Sequence, residues 1–185
     1  ERNIILIKGY EDGVGKASVV LAALALVPNK LINDKRIVIY SADDAIKNQI
    51  KTSKELSKLQ IKVFSRYKFI QNEKLLEFMG KSCIHIGNSI SDGMPNALLE
   101  AMAMGAFPIQ SNPGKVTEEV IFNNKNGFLI ENPLDAFQIA KLIENAIKNE
   151  VLRKSAQDYN INFIAKNYNR STLQPKIIAC YKSVI

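Results

Sequence analysis

Short apolar runs rich in isoleucine and valine alternate along the chain with longer stretches in which apolar residues recur every three or four positions. The short runs are Ile4 to Ile7, Ile37 to Tyr40, Ile61 to Phe64, Cys83 to Ile86, Phe107 to Gln110 and Gly127 to Ile130, and each predicts a strand. Between them, Lys16 to Val27, Asp44 to Lys58, Glu73 to Met79, Ala97 to Met104 and Val116 to Phe122 predict helices. Strands separated by helices return in parallel, because each parallel return needs a crossover. The fold class is therefore α/β, with a doubly wound parallel sheet of about six strands. Three further helical patterns, Leu134 to Lys148, Val151 to Tyr168 and Leu173 to Val184, follow the last strand. Residues 150–185 read as a helical tail, and no element repeats closely enough for a solenoid.

Composition narrows the class without choosing a function. The 185 residues suit one domain, and 46% hydrophobic with 23% charged residues excludes disorder of the whole chain. A net charge of +7 favours anionic partners such as phosphates, nucleic acid or acidic headgroups. Two distant cysteines, Cys83 and Cys180, support neither a disulfide scaffold nor a cysteine zinc site, and a reducing compartment is the expectation. No apolar run reaches the ~18 residues of a membrane span, and the start lacks the order of a signal peptide. Residue 1 is Glu, which points to a processed product or a piece of something longer.

In a Rossmann-like sheet, ligands bind beyond the carboxyl ends of the strands, so those loops carry the candidate chemistry. The first strand leads into Lys8-Gly9-Tyr10-Glu11-Asp12-Gly13-Val14-Gly15-Lys16 and an alanine-rich helix. Glycines admit backbone amides to a phosphate, a helix start adds partial positive charge, and a lysine adds a full one. The NTPase pattern fails here, with Tyr10 at the first glycine position and Ala17 where a magnesium-binding hydroxyl belongs. The dinucleotide pattern has Ser18 at its third glycine, and the second strand closes on Tyr40 and Ser41 without a clear acid.

After the fourth strand comes Ser91-Asp92-Gly93-Met94-Pro95-Asn96-Ala97-Leu98-Leu99-Glu100-Ala101-Met102-Ala103-Met104-Gly105-Ala106-Phe107-Pro108-Ile109. It begins where the strand order of such a sheet reverses. A loop carboxylate, a glycine, a proline that can start a helix and a glutamate in the helix make a compact polar site. Asp92 and Glu100 stand eight residues apart on different elements, so each can accept hydrogen bonds from a different hydroxyl of one ligand. Taken singly, Asp92 reads as a turn cap and Glu100 as a complement to the helix dipole.

Together, this stretch resembles the signature of family 4 glycosyltransferases, also called glycosyltransferase group 1. That family carries Glu-x7-Glu within a run like Ser-x-Glu-Gly-x-Pro-x-x-Leu-Leu-Glu-Ala-Met-Ala-x-Gly-x-Pro. Here the spacing is kept and Asp92 replaces the first Glu. Ser111-Asn112-Pro113-Gly114 with Glu118 and Glu119 resembles the family's glycine loop and Pro-Glu segment. Asn126-Gly127-Phe128-Leu129 resembles its Asn-Gly strand.

The resemblance implies the C-terminal, donor-binding half of a GT-B enzyme, with the N-terminal acceptor domain outside this chain and the fragment alone inactive. It implies that Glu100 holds the ribose and that Asp92 contacts the donor sugar. It also implies that backbone from Gly93 through Met94, Pro95, Asn96 and Ala97 to Leu98 faces sugar and phosphates. Lys8 and Lys16 are the cations available for the diphosphate, where the family's loop has Gly-Arg. Lys16 and Asp92 would act on the reaction itself. The implied chemistry is retaining transfer from a UDP- or GDP-sugar to a glycan or lipid-linked acceptor, with no cofactor and no required metal. The implied setting is cytoplasmic, extending to the inner membrane face by peripheral association. Abundant Lys, Asn and Ile fit an AT-rich bacterial genome, where such enzymes build surface polysaccharide.

Base recognition in such enzymes follows the third strand, here Ser65-Arg66-Tyr67-Lys68-Phe69-Ile70, which makes Tyr67 the candidate. Tyr67 and Phe69 read equally as packing residues. His85, the single histidine, lies in the fourth strand with no partner at metal or triad spacing and reads as structural. No nucleic-acid module occurs. A phosphate-binding NTPase or dehydrogenase, or a non-catalytic sugar-nucleotide module, stays open as an alternative.

Overall fold

The computed structural model describes residues 2–68 and 70–183; Phe69 and Val184 lie outside the described residues. Six strands, β1 (Ile4–Lys8), β2 (Arg36–Ala42), β3 (Gln60–Ser65), β4 (Ser82–Gly87), β5 (Phe107–Ser111) and β6 (Phe128–Ile130), form one parallel sheet. Their order is β3-β2-β1-β4-β5-β6, so the winding reverses between β1 and β4. The helices are α1 (Ala17–Leu26), α2 (Asn29–Ile32), α3 (Asp44–Thr52), α4 (Asn72–Gly80), α5 (Asn96–Ala103), α6 (Ala136–Lys148), α7 (Glu150–Asn167) and α8 (Arg170–Lys182).

The alternation of side chains along each strand divides the core. Ile5, Ile7, Ile37, Ile39, Ile84 and Ile86 face α1 and α6, meeting Leu21, Leu24, Ile139 and Ile143. Ile4, Leu6, Val38 and Tyr40 face the other way, against Phe78 and Met79 of α4 and Ala101 of α5. Every residue of β4 and β5 is buried. Burying each such aliphatic side chain contributes about 1.5–3 kcal/mol, which fixes the positions from which the loops above the sheet depart.

Three elements differ from the sequence expectation. The helix expected over Asp44 to Lys58 stops at Thr52, where Ser53 turns extended (φ −87°, ψ 120°) and its Oγ accepts from the Leu56 amide at 3.3 Å. A separate 3-10 turn then spans Leu56–Lys58. The helix expected over Val116 to Phe122 is instead a kinked 3-10 segment, Pro113–Glu119, because Gly114 and Lys115 both adopt positive φ (66° and 62°). The short α2 after Pro28 has too few residues to show a periodicity.

Candidate functional site

The carboxyl ends of β1 and β4 diverge under the loops of residues 9–16 and 88–95. Glycine is required at Gly15 by close approach: a Cβ there would stand 2.2 Å from the Tyr10 carbonyl oxygen. The two loops are tied together, with the Lys16 amide donating to Asn88 O (3.0 Å) and Asn88 Nδ2 returning to Lys16 O (3.1 Å).

The amino end of α1 is closed from within. The Ala17 amide donates to Tyr10 O at 3.3 Å, and the Ser18 amide and Oγ donate to the Glu11 carboxylate at 2.7 and 2.6 Å. The first two amides of α1 thus already have acceptors within the chain, one a backbone carbonyl and one a carboxylate, where the phosphate-cradle reading of the first loop expects free donors. The amino end of α5 is open by contrast. Pro95 precedes it without a side-chain cap, and the amides of Asn96 and Ala97 have no acceptor among the described residues.

Lys8, Asp92, Pro95, Ala97 and Leu98 come together around one cleft, joined by Tyr10, His85 and Gln110. Lys8 Nζ stands 3.9 Å from an Asp92 carboxylate oxygen and 5.9 Å from the centre of the Tyr10 ring. Asp92 accepts no hydrogen bond from the backbone of its own turn among the described residues, so the cap reading of this residue has no support. Gly93, Met94 and Asn96 continue the same loop into α5. Lys16 Nζ is turned to the Gly13 carbonyl at 2.8 Å.

Glu100 lies a turn further along α5, half-buried, with no hydrogen-bond or ion-pair partner among the described residues. Burial raises its pKa. Its charge, added to near-complete burial, raises that of the Tyr40 hydroxyl. Tyr67 sits 73% exposed at the end of β3, its ring 5.9 Å from the Arg66 guanidinium carbon.

A second cluster was not legible in the sequence. β2 runs on to Ala42, and an acid does follow it directly: Asp43, 8% exposed. Its carboxylate accepts from Arg66 Nη1 and from the Glu11 amide, both at 2.7 Å. Burial pushes the Asp43 pKa up, but these two donors outweigh it and hold the group below the ordinary value. Arg66 in turn lies 4.9 Å from the Tyr10 ring centre, a cation–π distance. With a donor on each oxygen, Asp43 fastens the first loop to the segment that follows β3.

Among the described residues no three or more His, Cys, Asp or Glu gather as metal ligands, and no helix is long and apolar enough to cross a membrane.

A six-stranded parallel sheet of this order, open at its switch point beside an uncapped helix start, is a Rossmann-type nucleotide-binding arrangement. The sequence matches the family model "Glycosyl transferases group 1" over residues 1–163, and the chain belongs to that family. Similar solved structures include a glycosyltransferase from Rickettsia africae (23% identity, TM-score 0.78), covering 98% of this chain and 47% of that one. Anabaena HepE in complex with UDP has a TM-score of 0.80 at 13% identity, with 98% and 49% covered. The catalytic domain of cholesterol-α-glucosyltransferase from Helicobacter pylori has a TM-score of 0.73 at 20% identity, with 91% and 100% covered. The chain thus spans about half the length of the first two and the whole of the third. No curated protein sequence matches it.

Proposed function

We propose that this chain is the donor-binding domain of a retaining glycosyltransferase whose acceptor half lies outside it. The observation that carries the reading is Glu100, a half-buried carboxylate with no protein partner beside an uncapped helix start. A carboxylate kept partly dry and unpaired is poorly placed for stability, and suits the hydroxyls of a ribose. The diphosphate then meets the Asn96 and Ala97 amides with Lys8 and Lys16, the base extends toward Tyr67, and the sugar reaches Asp92. In transfer, the bond from the anomeric carbon to the diphosphate oxygen breaks and one to an acceptor hydroxyl oxygen forms. The diphosphate leaves with the bonding electrons and takes up the proton that the acceptor hydroxyl gives up, and the lysines and amides stabilise its charge without a metal. UDP is the first nucleotide to test, since HepE is seen with UDP and with UDP-glucose. A glycan or lipid-linked acceptor, bacterial surface polysaccharide and a cytoplasmic setting complete the proposal.

Calorimetry with UDP, GDP and ADP, with and without EDTA, tests it. One nucleotide should bind with a Kd on the order of 10 μM to 1 mM, a modest affinity for half a cleft. EDTA should not change it. Absence of binding by all three, or a strict magnesium requirement, would overturn the reading.

A further inference from the structure

The cleft lined by Lys8, Asp92, Pro95 and Leu98 leaves a void of about 10 Å³, room for a single water. One of its walls is His85, 1% exposed. The Nε2 of this ring is 3.0 Å from the hydroxyl of Tyr40, itself 4% exposed. That hydroxyl has no other partner among the described residues, so its proton is satisfied only by donating to Nε2. The reverse arrangement would leave a phenolic proton in the core with no acceptor. A neutral imidazole carries one ring proton, and it then resides on Nδ1. Burial, helped by the charge of Lys8, lowers the His85 pKa to about 3, so the ring stays neutral at ordinary pH.

His85 Nδ1 has no hydrogen-bond partner among the described residues. A buried N–H without an acceptor is costly enough that native structures almost always supply one. Gln110, 3% exposed, lines the same void, which therefore offers a further polar partner to an atom bound there. Lys8 and Asp92 line the same void.

We propose that this cavity is a site for one hydroxyl-type oxygen, with His85 Nδ1–H as its buried donor and Tyr40 as the residue that fixes the tautomer. In the free chain the oxygen is that of an ordered water. With donor bound, the water bridges to the sugar, or a sugar hydroxyl replaces it. Only this second part rests on the donor reading above. His85 is thus a positioning residue in the floor of the site.

Because the chain has one histidine, labelling histidine with nitrogen-15 gives a single ring in the NMR spectrum. The expected spectrum has a protonated Nδ1 and a bare Nε2, unchanged from pH 8 to pH 5, with a cross-peak from the Nδ1 proton to water. UDP alone should leave that cross-peak in place. UDP-glucose should either retain it, meaning a bridging water, or exchange it for a cross-peak to a sugar proton. Tyr40→Phe should produce a mixture of tautomers and weaken UDP-glucose at least threefold more than UDP. A ring protonated on Nε2 overturns the proposal, as does an Nδ1 proton with no cross-peak to water or ligand. Failure of both nucleotides to bind would count against the donor reading alone, since the water cross-peak of the free chain decides the site by itself.

Discussion

In the proposed donor site Asp92 and Glu100 divide the two ends of one ligand, and their substitutions should separate accordingly. On that proposal Glu100 holds the ribose through charge-assisted hydrogen bonds, each of about 1.5–3 kcal/mol. Glu100→Ala should therefore weaken UDP about tenfold or more in a folded chain, and unchanged affinity by calorimetry would remove it from the site. Asp92→Asn should weaken the nucleotide-sugar while shifting bare UDP by less than about 0.5 kcal/mol, as for a group that touches only the sugar. Equal losses would mark Asp92 as structural. His85 makes a separate prediction through acidity. Its folded pKa, lowered by burial to about 3, lies below the ordinary 6.5, so the unfolded chain binds the proton first. Stability is then fully present above pH 6.5 and declines as pH falls from there toward 3, by about 1 kcal/mol per unit. Glu100, whose folded pKa is raised by burial, acts in the opposite sense just above pH 4.5. Urea unfolding between pH 7 and pH 5 isolates the histidine, and a flat profile would show that the ring is protonated or exposed in the native state.

The elements matter to function mainly through where they stop. α5 ends at Ala103, and after Met104 the chain turns at Gly105 with φ 79°. A Cβ there would lie 2.8 Å from Gln157 Cγ on α7 and 2.9 Å from Arg2 Nη2. Gly105→Ala combines left-handed strain with crowding between α5 and α7, and should destabilise the chain by about 2 kcal/mol in urea while leaving nucleotide affinity intact. The strands were legible because central parallel strands are buried on both faces and appear as unbroken apolar runs, as in β4 and β5. Helix ends were less so: Ser53 and the consecutive left-handed pair Gly114 and Lys115 break patterns that periodicity alone continues. For the same reason the site was readable only in part. Asp92 to Glu100 lies in one local segment, so its chemistry shows in the order of residues. Glu11 with Asp43, Asp43 with Arg66, and Tyr40 with His85 join residues 32, 23 and 45 positions apart. No local pattern encodes such pairs; they exist only once β3, β2, β1 and β4 lie side by side in that order.

For the whole molecule, ligand binding and folding are linked. A nucleotide that binds only the native state adds about 2.7 kcal/mol at a hundred times its Kd, so UDP at that excess should raise the thermal midpoint by several degrees. A shift of the same size with Glu100→Ala would mean that UDP binds elsewhere. The tail behaves differently from the body it is attached to. α8 has no buried residue, carries Pro175 within it, and leaves Ile177, Ile178 and Tyr181 exposed. A helix that contributes nothing to the core draws little stability from it, so its opening is decoupled from the sheet. In hydrogen–deuterium exchange, α8 amides should label within seconds to minutes, while those of β1, β4 and β5 wait for global unfolding. Slow labelling of α8 in the isolated chain would reveal a cover over Ile177 and Tyr181. Should α8 alone slow once the chain is joined to the acceptor half proposed for it, this helix is ordered by what it meets and not by what it is.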